Sequence, residues 1–250
     1  MKLKTLTDDL DGLLKIQDIA DESLNGLQVE NRGEVQKVAL AVDASAAAFE
    51  KAHESGADFL FVHHGLFWDR PVSVKGSMYH RIRLLIESNI ALYAAHLPLD
   101  MHPEFGNNAQ IEKILGWPIA DDFGEYHGSI IGKEVRFSSP VPLTQIVDDM
   151  KRKLECEVRV WEFGKKRVCR LGYVSGGGLG LLDQAVEAGY DAFITGEPKH
   201  SSYWMAKEAG INVIFGGHYA TETLGVKAVG EHIQEKWGLE TVFIDLPTGL

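Results

Sequence analysis

The chain has 250 residues, 45% of them hydrophobic and 24% charged, with a formal net charge of -11 at pH 7. That is a globular composition with enough apolar residues for a core, and its acidic balance counts against broad contact with nucleic-acid phosphates or anionic membranes while suiting cations. No apolar run approaches the roughly 20 residues a bilayer span needs, the opening MKLKTLTDDLDGLL has no signal-peptide apolar segment, and two cysteines, Cys156 and Cys169, are too few for a disulfide framework or a zinc ribbon, so a reduced, cytoplasmic setting is expected.

SLNGLQVE, Ser23 to Glu30, reads as a glycine-punctuated turn before a strand, with Asn25 and Gln28 as polar contacts to a site. KVALAVDAS is a buried strand ending in a turn, and AAAFEKAHESG is a helix capped by Ser45 and stopped at Gly56. DFLFVHHG is a strand and MYHRIRLLIESN a helix, while IALYAAHLPLD is a strand broken at Pro98. Alternation of strand and helix implies a parallel sheet. Next, EYHGSIIGKEVRFSSP resembles a hairpin, PLTQIVDDMKRKLE a helix and EVRVWEFG a strand. From Arg170 the alternation returns: RLGYVSGGG, LGLLDQAVEAG, YDAFITGEP, KHSSYWMAKEAG and INVIFGGHYATE, then a helical pattern ending near Gly238. Cys169 lies in the apolar VCRLGYV and reads as a core residue.

The two alternating passages align with each other. HESGADFLFVHH lies over VEAGYDAFITGE, and ALYAAHLPLD over VIFGGHYATE. Internal similarity of this kind points to a duplicated unit. The expected organisation is α/β: two related halves with parallel-type sheets at residues 1–118 and 167–250, and a small α+β insert at 119–166.

The chemistry gathers where strands end, which is where open parallel sheets bind ligands. His63 and His64 close one strand. Neighbours in a strand point to opposite faces, so both can serve one site only if the strand stops there, and Gly65 permits that turn. His96-x-x-x-Asp100 and His218-x-x-x-Glu222 stand at equivalent places in the two halves. A helix starting at or before His218 would put it on one face with Glu222. Each residue alone also has a structural reading, as a hydrogen-bonded core histidine, a turn cap or an acidic first helical turn. Together, His63, His64, Asp100, His218 and Glu222 form an imidazole–carboxylate set suited to zinc, manganese, iron or nickel. A carboxylate such as Glu222 can bridge two cations about 3.5–4 Å apart, a pair that activates water. His96 is either a sixth ligand or, by preference, a residue that orients one. SGGGLG, Ser175 to Gly180, lacks the Lys-Ser/Thr of a P-loop and reads as a structural turn. Glu197 and His200, in GEPKH, fall near the expected cleft, with Glu197 a candidate general base.

SLNGLQV, VHHGLFW, HLPLD, TGE and GGHYATE, from about Ser23 to Glu222, resemble the Nif-three-like proteins, often labelled GTP cyclohydrolase 1 type 2 homologues. The resemblance implies two similar α/β domains and a dinuclear metal site on His63, His64, Asp100, His218 and Glu222. It also implies a toroidal homohexamer with the metal sites facing an inner cavity, and the label implies hydrolytic opening of the GTP purine ring. Some relatives carry a larger insert between the halves. Others carry a polar pair where this chain has Leu97-Pro98.

The leading expectation is therefore a metal-dependent hydrolase for a nucleotide or other phosphate-bearing small molecule, holding two divalent ions and using Glu197 or His96 to move protons. The rival is a non-catalytic metal-binding or trafficking ring whose partners are proteins. A ring threading single-stranded nucleic acid is a third reading, against which the net charge counts.

Overall fold

The apolar runs become the inner strands of two sheets, in a computed structural model that describes residues 1–250. In chain order the first elements are α1 (Leu3–Leu14), β1 (Gly26–Val29), β2 (Lys37–Asp43), α2 (Ala46–Glu54), β3 (Phe59–His64), α3 (Ser77–Glu87), β4 (Ala91–Ala94) and α4 (Leu97–Asp100). They are followed by α5 (Asn107–Leu115), β5 (Ile119–Tyr126), β6 (Ser129–Pro142), α6 (Leu143–Lys153), β7 (Arg159–Trp161), β8 (Arg167–Tyr173) and α7 (Leu182–Glu187). The last elements are β9 (Ala192–Thr195), α8 (Tyr203–Ala209), β10 (Asn212–Phe215), α9 (His218–Trp237) and β11 (Glu240–Phe243). No helix is long and apolar enough to cross a membrane.

Two compact units result: Met1–Phe105 with Gly225–Leu246, and Gly106–Leu224 with Pro247–Leu250. These units differ from the expected segments 1–118, 119–166 and 167–250. The stretch expected as an insert shares one sheet with the later strands, in the order β5-β6-β8-β9-β10-β7. There β8, β9 and β10 are parallel, while β6 pairs antiparallel with β8 and β7 antiparallel with β10. An open parallel core leaves unpaired strand edges, and these antiparallel strands cover them.

In the first unit the order is β1-β4-β3-β2-β11, parallel except for β1. Strand β4 is buried throughout and β3 up to His63, as a sheet covered on both faces requires. Leu60 and Val62 of β3 pack with Phe49 of α2 and Met78 and Leu85 of α3. Phe59 and Phe61, on the other face, meet the Tyr93 ring, whose hydroxyl donates to Asp11 of α1. Helix α1 buries Leu3, Leu6, Leu10 and Leu14, a three- and four-residue spacing that makes one apolar stripe. Ser45 caps α2 as expected, its side chain accepting from the Ala48 N–H at 3.1 Å.

The duplication has a shared device at the entrance of the equivalent strands. Asp58, before β3, accepts the N–H groups of Gln36 and Lys37 at 2.9 and 3.2 Å. Asp191, before β9, accepts those of Cys169 and Arg170 at 2.8 and 3.1 Å. Each carboxylate thus ties the start of one strand to its parallel neighbour.

Within the second sheet, buried Glu134 of β6 accepts from Arg136, Arg170 and the Tyr190 hydroxyl, at 2.9, 3.1 and 2.9 Å. Burial alone pushes this carboxyl up. The hydrogen bonds from Arg170, Arg136 and Tyr190 and the charge of Arg170 overcome it and hold the group at about 2, below its ordinary 4.5. A carboxyl depressed in the folded state stabilises above its unfolded pKa, and that stability disappears as pH falls toward the folded value. Glu134→Gln is therefore expected to cost about 1–3 kcal/mol near neutral pH. In denaturant titrations the gap from wild type should narrow as pH drops below about 4.5.

Candidate metal centre

The expected ligands stand at the carboxyl ends of strands in each unit, and the local geometry explains why. His63 continues the face of β3 that carries Phe59 and Phe61, and His64 the face of Leu60 and Val62. Because β3 ends at His64, the two rings can still converge: their centroids are 4.5 Å apart with planes at 45°. Gly65 makes the turn where a larger residue would not fit. A Cβ there would lie 2.3 Å from Gln28 Nε2 and 2.7 Å from Ala94 Cβ.

The hydrogen bonds then fix which nitrogen each ring offers. His63 is fully buried, and its Nδ1 is 2.9 Å from the Ala95 carbonyl oxygen. A carbonyl only accepts, so Nδ1 carries the hydrogen and, in the neutral ring, Nε2 keeps the lone pair. His64 places Nδ1 2.9 Å from Asp43 Oδ1, and His96 places Nδ1 2.9 Å from Asp21 Oδ1. Carboxylates accept in the same way. One ligand nitrogen from each of His63, His64 and His96 can therefore serve a cation, and such atoms lie within 4.8 Å of one another. Asp100 closes the four-residue helix α4, which Pro98 helps start. The buried Asp100 carboxylate sits 3.6 Å from His63 Nε2.

Asp21 is the organiser of His96. It also accepts from the Leu97 N–H and the Asn25 side chain, each at 2.9 Å, and Asn25 in turn accepts the His96 N–H at 2.8 Å. Burial pushes the Asp21 carboxyl up, but the hydrogen bond and charge of His96, with Asn25 and the Ser23 N–H, hold it at about 2. Gln28 accepts the Leu66 N–H at 2.7 Å, fixing the turn after the double histidine. Asn25 and Gln28 thus shape the site through backbone groups.

In the second unit α9 begins at His218, so His218 and Glu222 share one helix face. His218 Nε2 is 3.1 Å from Glu222 Oε2, and its Nδ1 is 3.2 Å from Glu197 Oε2. Burial alone would push this imidazole down. The carboxylates of Glu222 and Glu197 overcome that and hold it at about 9. A cation on Nε2 competes with that proton, so uptake releases it. Gly176, at φ +61, leaves the room these groups occupy. A Cβ there would fall 1.8 Å from Glu222 Oε1 and 3.2 Å from His218 Nε2. The SGGGLG stretch is accordingly a structural turn, with the Gly176 N–H given to Thr221 Oγ1 at 3.0 Å. His200 lies exposed in a short turn of 3-10 helix at His200–Ser202, and Glu197 orients His218.

Within the first unit, His63, His64 and His96 form a set that can hold a metal ion. Imidazole Nε2 atoms oriented through Nδ1, with buried carboxylates beside them, match the donor chemistry of divalent first-row metals. Three residues of the first unit escaped the sequence reading: Asp21, Asp43 and Trp68. Asp43 has a findable signal, since it ends β2 and pairs with His64 across the ladder. Asp21 and Trp68 come to His96 only through tertiary folding.

A family model described as Duf34/NIF3 (NGG1p interacting factor 3) matches residues 1–249. A protein of Archaeoglobus fulgidus named "GTP cyclohydrolase 1 type 2 homolog" is 46% identical over 250 residues, covering 100% of both chains. One of Pyrococcus horikoshii with the same name is 47% identical over 96% of each chain. Among solved structures, TTHA1606 from Thermus thermophilus is similar with a TM-score of 0.90 and 44% identity, covering 100% of each chain.

Two substitutions test this geometry. Asp43→Ala frees the His64 ring and should weaken metal binding by about ten-fold or more in a chelator competition. Gly176→Ala, which puts a methyl group onto Glu222, should lower metal uptake, read by elemental analysis, while leaving the far-ultraviolet circular dichroism unchanged.

Proposed function

The chain belongs to the Duf34/NIF3 family, and from that membership and the oriented histidines we propose that it is a metal-dependent hydrolase for a nucleotide or another phosphate-bearing small molecule. The ligands of the two divalent ions in this reading are His63, His64 and Asp100 of the first unit and His218 and Glu222 of the second. The observation that supports it most is the Nδ1 hydrogen bonding of His63 and His64, to Ala95 and Asp43, because it leaves Nε2 as the nitrogen of each ring that can take a cation. Zinc, iron, manganese and nickel all suit the donors.

Bound divalent cations supply the charge that acidifies water and neutralises phosphate oxygens. The chain's own groups do the rest. Ala95, Asp43 and Glu197 hold the ligand rings in place. His96 is the proton carrier: Asp21 accepts its Nδ1–H and stabilises the imidazolium formed when Nε2 takes a proton. Glu197 serves this site through His218. The relatives' name directs attention to GTP, whose purine ring would be opened by hydrolysis. The family resemblance also supports a homohexameric ring with the sites facing its cavity.

The test is metal analysis combined with a turnover screen on a nucleotide panel, wild type against His218→Ala. About two ions per chain and metal-dependent hydrolysis, both reduced in the variant, are the expected result. Full metal loading with no turnover would favour the non-catalytic metal-binding ring. Unchanged metal content in His218→Ala would remove that residue from the ligand set.

A further inference from the structure

Trp68, four residues beyond the end of β3, stands against the histidine cluster of the first unit. Its ring meets the His96 ring edge-on, with centroids 5.1 Å apart and planes at 69°, and lies 6.3 Å from the His64 ring. Several backbone contacts immobilise it. Residues 67–69 zip against residues 22–24, the Leu24 N–H donating to the Phe67 carbonyl at 3.0 Å and the Asp69 N–H to the Glu22 carbonyl at 2.7 Å. Ser23 and Trp68 form an isolated antiparallel bridge between these contacts. The same 21–25 segment supplies Asp21 and Asn25 to His96, so the indole and the imidazole share one support.

The indole N–H is directed to the Gly65 carbonyl at 3.3 Å. An exposed tryptophan ordinarily turns its N–H to water and its ring inward. Here the N–H has a partner in the protein, yet 38% of the residue remains exposed, beside Leu24 at 56%. The indole is thus partly open to solvent and held at a fixed angle next to groups that can bind a metal. A rigid aromatic surface is suited to stacking because little ordering remains when a ligand arrives.

We propose that Trp68 forms a subsite for a planar heteroaromatic ring of the substrate, stacked on the indole while the anionic part of the same molecule faces the bound cations. The assignment rests on the phosphate-bearing-substrate reading above and narrows it to molecules carrying such a ring. A stacked base contributes enough that removing its aromatic partner weakens binding by roughly ten-fold or more.

The experiment uses the full, metal-loaded chain and two probes, guanosine monophosphate and ribose 5-phosphate, titrated calorimetrically into wild type, Trp68→Phe and Trp68→Leu. The leucine variant keeps apolar bulk and protects folding. Metal content is measured for each protein. The expected result is a roughly ten-fold loss of nucleotide affinity in Trp68→Leu, little loss in Trp68→Phe, and unchanged ribose 5-phosphate affinity and metal content. Equal losses for both probes, loss of metal in Trp68→Leu, or a wild type that does not prefer the nucleotide would each overturn the subsite. Turnover is assayed separately. Ring-selective binding without hydrolysis would refute the hydrolase and leave the role of Trp68 intact.

Discussion

Each imidazole at the end of β3 and β4 is held through Nδ1 by an acceptor that the fold itself fixes: the Ala95 carbonyl for His63, Asp43 for His64 and Asp21 for His96. A free histidine has two equivalent choices of tautomer and many ring orientations. Here one choice remains, and in all three neutral rings it leaves the lone pair on Nε2. The acceptors sit on β2, on the segment before β1 and just after β4, so the parallel register of the first sheet sets ligand orientation. Loss of that register would scatter the rings even if every histidine remained.

The duplicated architecture was adapted differently in each unit. Asp58 and Asp191 keep the same structural task, joining strand starts through backbone N–H groups. At the opposite strand ends the repeats diverge. Asp43 of the first unit aligns with Gly176 of the second, and His64 with Glu197. In one unit an aspartate orients a histidine. In the other, a glycine makes room for Glu222, and a glutamate from the strand end orients the helix-borne His218. The first unit thus offers mostly imidazole and the second pairs imidazole with carboxylate.

Much of this was legible from residue order. The double histidine at a strand end, and the paired His-x-x-x-Asp and His-x-x-x-Glu stretches, could be placed because strand ends of parallel sheets collect function and because the chain repeats itself. The i, i+4 contact of His218 with Glu222 followed once α9 began at His218. Helix α1 was missed although Leu3, Leu6, Leu10 and Leu14 carry the helical period. The partners Asp21 and Asp43 were missed for a different reason. Which carboxylate accepts from a ring nitrogen depends on how strands lie side by side, and spacing along one chain does not encode it directly. The stretch at 119–166 was read correctly as a hairpin, a helix and a strand, but its pairing with β8 and β10 is a choice among sheet edges that local pattern leaves open.

The account stands on Nε2 of the oriented histidines being the atoms that bind a metal. X-ray absorption on the zinc-loaded protein addresses this directly. A first shell containing imidazole nitrogen at about 2.0–2.1 Å, with one fewer imidazole in His64→Ala, is the result the account requires. A shell of oxygen neighbours alone, unchanged in the variant, would contradict it.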